Sequence, residues 1–418
     1  MQSEKATRVL IVVQNCPYSC DPRVRNETET LATAGYRVSV VSPRRSGERW
    51  YESMGTVSIY RFPLWSFGNN VWGYLTEYIF AIISIAMLSV LVLCREGFDI
   101  IHVANPPDCI LPIISFYKLL GKSFIYDQHD LCPELYAAKF GENRFALGLL
   151  GALERYSYCL ASQVIVTNES CKEVAVGRGH QLETKVTVVR NGPRLPSLNV
   201  PKVDADLRAK AANIIAFAGV IGFQDGLNHL CRALHCLRYK LRREDFYCVV
   251  LGDGDALDAL KALARELNLD DKIWFAGWIS DPLLYVRYLS TADICVAPDP
   301  SNSYNDQSTF VKIMEYMAAG KPIVAFDLLE TRRSAQTAAS YARPNDPVDF
   351  AQKLLDLMEN SSLRSLMGEA GYVRVQKELA WQHSVPKLLS VYEKVAKSAL
   401  CPRSGFTIKA RAEQESER

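Results

Sequence analysis

The chain has 418 residues, more than one ordinary core accommodates and enough for two domains of about 150–200 residues each. With 49% hydrophobic and 22% charged residues it is a folded globular protein and not a disordered one. Its 48 basic and 46 acidic side chains leave a net charge of +2, so no global field recruits nucleic acid, and an anionic ligand needs a local arrangement of donors.

Strand-like runs alternate with helix-length segments through the first half: Arg8–Gln14, a helical stretch over 23–34, Arg37–Ser42, Asp99–Ala104, a helix over 110–120, Ser123–Asp127, a helix near 145–161, Gln163–Thr167 and Lys185–Arg190. Short β-branched runs separated by helices indicate a parallel sheet covered on both faces. The leading residues, MQSEKATRVLIVV, carry charge straight into the first strand and lack a signal-peptide layout, so a cytoplasmic location is expected. Ile79–Leu93 runs for 15 residues without a charge, with Trp72, Tyr74 and Tyr78 ahead of it and Arg95 behind. A spanning helix needs about 20 apolar residues, so the run reads as a buried or membrane-surface helix, with a true span as the alternative.

At Asn191 the alternation breaks, and Pro193, Pro196 and Pro201 mark an interdomain linker over 193–212. It restarts with Ile214–Ala218, a helix over 227–238, Tyr247–Leu251, a helix over 256–267, Ile273–Phe275, Ile294–Ala297, a helix over 309–319 and Ile323–Phe326. The reading is therefore α/β, with two doubly wound domains at 1–192 and 213–378. A helix over 379–398 is expected to fold back on the first domain, and a polar tail over 399–418 is expected to be disordered. Two such domains place a ligand in the cleft at the carboxyl ends of both sheets.

In Asn305–Asp327, Ser308 is a suitable N-cap, Phe310, Ile313, Met314 and Met317 form an apolar stripe, and Gly320 with Pro322 ends the helix. Lys312 and Glu315 share one face. Near the helix start a cation is disfavoured by the dipole unless a phosphate docks there, and Glu315 can then accept from a ribose diol. The alternative is a solvated pair contributing about 0.3 kcal/mol. Gly219-Val-Ile-Gly222 follows a strand and precedes a helix, so its amides can cradle a diphosphate, or its glycines serve only the turn. Gly252-Asp-Gly254 is a second strand-end loop; its Asp253-Gly-Asp255 is a weaker candidate for Mg²⁺. His129 ends the run FIYDQ, where it is either structural or a donor to a sugar hydroxyl or phosphate. Twelve cysteines stand without a C-x-x-C pair or zinc-finger spacing, the usage of a reducing compartment, and no metal site is expected from them or the histidines.

Asp21-x-Arg23-Val24-x-x-Glu27, Asn105-Pro-Pro-Asp108, Asp127-Gln-His-Asp-x-x-Pro-Glu134, Asn191-Gly-Pro193, the two glycine loops and Glu330-Thr-Arg332 occur in this order over residues 8–395. The combination resembles the retaining family 4 glycosyltransferases of GT-B fold, in a bacterial subgroup acting on surface polysaccharides or lipid-linked sugars. In that family the 305–327 element carries two acids eight apart; Glu315 matches the second, a ribose ligand, and Gln307 stands at the first. Val220 replaces a common arginine, which leaves cationic work to Lys312 or Arg332.

The resemblance implies catalytic positions at His129, Gln307 and Lys312, and a donor site of Gly219, Gly222, Gly254, Ser308, Thr309, Lys312, Glu315 and Arg332. It places acceptor contacts at Asp21, Arg23, Asn105 and Asp130, although Asp21 and Arg23 also suit a helix-start carboxylate and an internal salt bridge. It implies a nucleoside-diphosphate sugar as donor, no other cofactor and no metal, and a glycan or lipid-linked acceptor. Peripheral association through 72–95 with the inner face of the cytoplasmic membrane is expected. The other readings are a non-catalytic partner of a polysaccharide-assembly complex and a sugar-nucleotide epimerase of the same fold.

Overall fold

The computed structural model describes residues 6–64, 71–195 and 203–400. The expected disordered tail from 401 onward and the middle of the expected linker, 196–202, lie outside the described residues. In the first domain the strands are β1 (Arg8–Val12), β2 (Arg37–Arg44), β3 (Tyr51–Met54), β4 (Val57–Pro63), β5 (Ile100–Ala104), β6 (Ser123–Gln128), β7 (Gln163–Val166) and β8 (Val186–Val188). They form one sheet in the order β3-β4-β2-β1-β5-β6-β7-β8, parallel except for the β3–β4 pair. Runs such as RVLIV and IIHVA show no polar alternation because both faces of the sheet are covered. The β3–β4 hairpin is absent from the sequence reading. It turns at Gly55, which adopts φ +61°, and β4 is buried on both faces and so lacks the period-2 signal of an exposed hairpin.

The second domain contains β9 (Asn213–Ala218), β10 (Phe246–Leu251), β11 (Ile273–Gly277), β12 (Ile294–Ala297), β13 (Ile323–Phe326) and β14 (Ala339–Ala342). The order is β11-β10-β9-β12-β13-β14, parallel throughout. Each sheet carries one apolar cluster on either face: Leu10 and Val12 point into one, Val9 and Ile11 into the other, and β9 divides in the same way between Ile215, Phe217 and Ile214, Ala216.

Two long helices cover opposite faces of the first sheet, and one of them comes from the second domain. Val71–Arg95 packs Ala81, Ile85 and Val92 into the cluster with Leu10, Phe98 and Tyr117, while Ile79, Ile83, Met87 and Leu91 face outward at four-residue spacing. The last described helix, Trp381–Leu400, leaves the second domain and lays Trp381, Leu388, Val391, Tyr392 and Val395 on the first, beside Val9 and Ile11. Its start is tied down by Trp381 N–H donating to Pro193 O at 3.0 Å and Trp381 Nε1 to Thr30 Oγ1 at 3.0 Å.

In both sheets the strand order reverses beside the first strand, between β1 and β5 and between β9 and β12. Ligands of open parallel sheets bind outside the carboxyl ends at such switch points. The loops that emerge there are 13–21, 105–108, 219–222 and 298–304.

Candidate active site

On the first domain the site is built on a buried charge cluster. Asp127, the fifth residue of β6, accepts from Arg23 Nη2 at 2.6 Å and Arg23 Nε at 3.1 Å, and contacts His129 Nε2 at 2.6 Å. Arg23 and His129 hold the Asp127 carboxyl well below its usual range against the cost of burial. Arg23 Nε also lies 3.0 Å from His129 Nε2, so that nitrogen is engaged within the cluster and Nδ1 is the ring nitrogen left for a ligand. His129 is 14% exposed and Asp127 fully buried, so of the two only the imidazole meets the cleft. Asn105 shapes this turn: its Oδ1 accepts from His129 N at 2.7 Å and Asp130 N at 3.2 Å, and its Nδ2 donates to Asp130 O at 2.9 Å.

Behind Asp127 lie Glu27 and His102, whose ligand atoms fall with that of Asp127 within 4.8 Å of one another. Such a triad has the composition of a metal site, which the sequence reading did not find. Its positive charge is already supplied by Arg23, 3.2 Å from Glu27. Burial and the Asp127 charge push the Glu27 carboxyl up, and burial pushes His102 down, which keeps its ring neutral against Tyr392 at 2.6 Å.

On the second domain, Gly219 and Gly252 adopt φ +148° and +152°, and a Cβ on Gly252 would lie 1.8 Å from Gly219 O. The two glycine loops touch backbone to backbone, which only glycine permits. Their contact consumes donors: Gly219 N bonds Leu251 O, Ile221 N bonds Asp253 O, and Gly222 N bonds Asp225 Oδ2, each at 3.0 Å. The expected diphosphate cradle of Gly219 and Gly222 amides is corrected accordingly, since those N–H groups are engaged. Gly254 is likewise packed on Ile221.

Beneath this loop lies Lys312, with Cε 3.9 Å from where a Gly219 Cβ would stand. Its ammonium bonds Asp299 Oδ1 at 2.7 Å, lies 3.7 Å from Asp225 Oδ1, and sits over the Phe217 and Phe310 rings at 4.7 and 5.1 Å. Burial pushes Asp299 up to about 6 despite Lys312. Glu315, one turn on, is half-buried; its Oε2 accepts from Tyr285 Oη at 2.7 Å, and burial pushes its carboxyl up.

Other expected positions move. The helix begins at Val311, not Thr309, and Ser308 does not cap it: its hydroxyl donates to Tyr304 O at 2.8 Å, because a 3₁₀ turn over Asn305–Gln307 precedes it. Thr309 and the Gln307 carbonyl accept from Asn168 across the cleft. The Gln307 side chain donates to Ser303 O at 2.9 Å. Arg332 is exposed, pairs with Asp327 at 2.7 Å and stacks on Tyr341, while its neighbour Arg333 reaches the first domain at Ser170.

Among the expected acceptor residues, Arg23 is 2% exposed and held by Asp127, Glu27 and Val189 O, so the internal salt bridge is the correct reading. Asp21 caps the Pro22–Thr33 helix through Val24 N at 3.0 Å. Asn105 is fully buried. Asp130 faces the cleft but accepts from Tyr304 of the other domain at 2.7 Å. Asp299, Tyr285, Tyr304 and Asn168, which contact Lys312, Glu315, Asp130 and the 307–309 segment, were missed by the sequence reading. Asp299 follows β12 at its carboxyl end, the one signal in the sequence by which it could have been found.

Two Rossmann-like domains facing across a cleft, joined by a returning C-terminal helix, define the GT-B fold. The chain matches the Glycosyltransferase Family 4 model over residues 23–194 and the Glycosyl transferases group 1 model over residues 212–360. It is 24% identical over 270 residues to an uncharacterized glycosyltransferase of Methanocaldococcus jannaschii, covering 61% of this chain and 65% of that one. It is also 24% identical over 257 residues to TuaH of Bacillus subtilis, a protein named for teichuronic acid biosynthesis, covering 58% and 61%. These matches span less than two thirds of either relative. Sucrose-phosphate synthase from Thermosynechococcus elongatus shares the fold, with a TM-score of 0.76 at 16% identity over 94% of this chain and 100% of that one. Anabaena HepE, solved with UDP-glucose, superposes with a TM-score of 0.66 at 14% identity over 94% and 98%. Together these findings support a glycosyltransferase of GT-B fold.

Proposed function

We propose that this chain transfers a sugar from a nucleoside diphosphate to the hydroxyl of a glycan or lipid-linked acceptor, with retention at the anomeric carbon. The observation that carries the reading is Lys312 packed under the glycine loop after β9, with Glu315 one turn further along the same helix, while the Tyr304–Asp130 contact brings the residue after His129 against the loop that precedes this helix. Glu315 Oε1 is left for a ribose diol while Tyr285 holds Oε2. Lys312 supplies charge to the diphosphate as the sugar–phosphate bond breaks, and His129 Nδ1 hydrogen-bonds a sugar hydroxyl. The new bond forms between the acceptor oxygen and the anomeric carbon, and the acceptor proton passes to the departing phosphate. This chemistry calls for no metal, and electrostatic stabilisation of the leaving group is its main catalytic term. The relatives' printed names, one concerned with teichuronic acid and one complex with UDP-glucose, fit a surface-polysaccharide acceptor and a nucleotide-sugar donor.

The same reading places the protein in the cytoplasm at the inner membrane face. The outward apolar stripe of Val71–Arg95 continues onto the neighbouring helix, Leu111–Leu119, through exposed Phe116 and Leu119; Tyr117 of that helix bonds Ser89 at 2.8 Å. Such a face suits a lipid surface, while the inner stripe holds the helix in the domain. The test is a thermal-shift screen of UDP-, GDP- and ADP-sugars. One donor at 100 times its dissociation constant adds about 2.7 kcal/mol to stability. No stabilisation by any nucleoside-diphosphate sugar would overturn the proposal.

A further inference from the structure

We infer that Asn168 is a positioning residue for the donor-side loop 304–309, so that the donor site is completed by contact with the first domain. The inference rests on the donor reading above. Asn168 precedes the Glu169–Val176 helix, and its Oδ1 accepts from Cys171 N at 2.7 Å, a helix cap. That bond fixes the amide orientation and leaves the NH₂ group directed at the other domain. There it donates to Gln307 O at 2.8 Å and to Thr309 Oγ1 at 3.0 Å. Asn168 is fully buried, so water does not replace these partners without cost. Asp, Ser and Thr cap a helix as well as Asn, but only Asn presents two donors on the far side of the capping oxygen.

The gripped segment leads directly to the donor groups. Gln307 and Thr309 are followed by the Val311–Ala318 helix, which carries Lys312 and Glu315. Upstream, Asn305 Nδ2 donates to Gln224 O at 3.1 Å, tying the segment to the turn after Gly222, and Tyr304 Oη donates to Asp130 at 2.7 Å. The loop therefore stands between Asn168 and Asp130 on one side and the donor groups on the other. A separate contact holds the domains together: Glu330, fully buried, accepts from Ser170 Oγ at 2.7 Å and from Arg333 at 2.8 Å. Loss of the Asn168 donors should free the loop without separating the domains.

Asn168→Asp keeps the capping oxygen and removes both donors, and Asn168→Ser keeps a cap too short to reach the loop. In the full chain without ligand, hydrogen exchange at 303–309 is expected to quicken at least ~10-fold in both variants, with 169–176 unchanged. The donor dissociation constant is expected to rise about 30-fold, the worth of two hydrogen bonds, with turnover at saturating donor little altered. Unchanged exchange at 303–309 overturns the inference, and so does equal loosening of 169–176, which would mark Asn168 as a helix cap only. If the wild-type chain binds no nucleoside-diphosphate sugar, the donor reading fails, while the ligand-free exchange still decides whether Asn168 grips the loop.

Discussion

Lys312 lies between Asp299 and Asp225, and that pairing sets the pH behaviour of the site. Burial raises Asp299 from 3.8 to about 6. A carboxyl raised in the folded state favours folding fully below its unfolded value near 3.8; that contribution is lost as pH rises through about 6. Below that pH the neutral Asp299 competes less for the Lys312 ammonium, which is then available to an incoming diphosphate. Asp299→Asn should therefore tighten nucleoside-diphosphate binding about tenfold at pH 7.5 and scarcely at pH 5, by calorimetric titration at both. Equal affinities of variant and wild type at pH 7.5 would show that Asp299 does not hold Lys312 back.

Residue identity was only partly legible. Helix punctuation around Gly320 and Pro322 pointed to Lys312 and Glu315, because local rules govern a local element. Asp299 sits in APDPSNS, which reads as a turn, and its meaning arises only where β12 ends beside the Lys312 helix. Arg23 was ambiguous for the same reason: its partner Asp127 is 104 residues away in sequence.

The Val71–Arg95 helix shows the limit at the next scale. Its apolar run was plain, yet a helix apolar on most faces carries no period to say which side is buried. The sheet decides, by accepting Ala81, Ile85 and Val92. By length and composition the helix is able to cross a membrane, with a mean hydropathy of 2.3 over its best window, but leaving the domain would strip one face of the first sheet. On the proposed docking role, Ile83→Glu with Met87→Glu, both on the outward face, should change stability by no more than about 0.5 kcal/mol each and abolish co-sedimentation with anionic liposomes. Co-sedimentation equal to wild type would remove this helix as the docking element. The β3–β4 hairpin and β14 escaped the sequence reading because a buried edge hairpin and a four-residue ASYA strand give neither alternation nor a long apolar run.

The molecule as a whole was legible as two parallel-sheet domains, since the strand–helix alternation stops at the prolines after Asn191 and then restarts. How the domains meet was not. The contacts of Asn168 with Gln307, Asp130 with Tyr304 and Ser170 with Glu330 join residues 139 to 174 apart, and no local signal specifies such pairs. The returning helix adds to this closure: Trp381, Leu388 and Tyr392 bury themselves on the first domain, so the chain crosses between domains a second time.

The central claim is that this cleft binds a nucleoside-diphosphate sugar through Glu315. Titration of the donor found by the thermal-shift screen into the wild-type chain and into Glu315→Gln tests it directly. Loss of hydrogen bonds to a charged acceptor should weaken the variant by about 10- to 100-fold while its fold is retained. Equal affinity of the two chains for every nucleoside-diphosphate sugar would contradict the account.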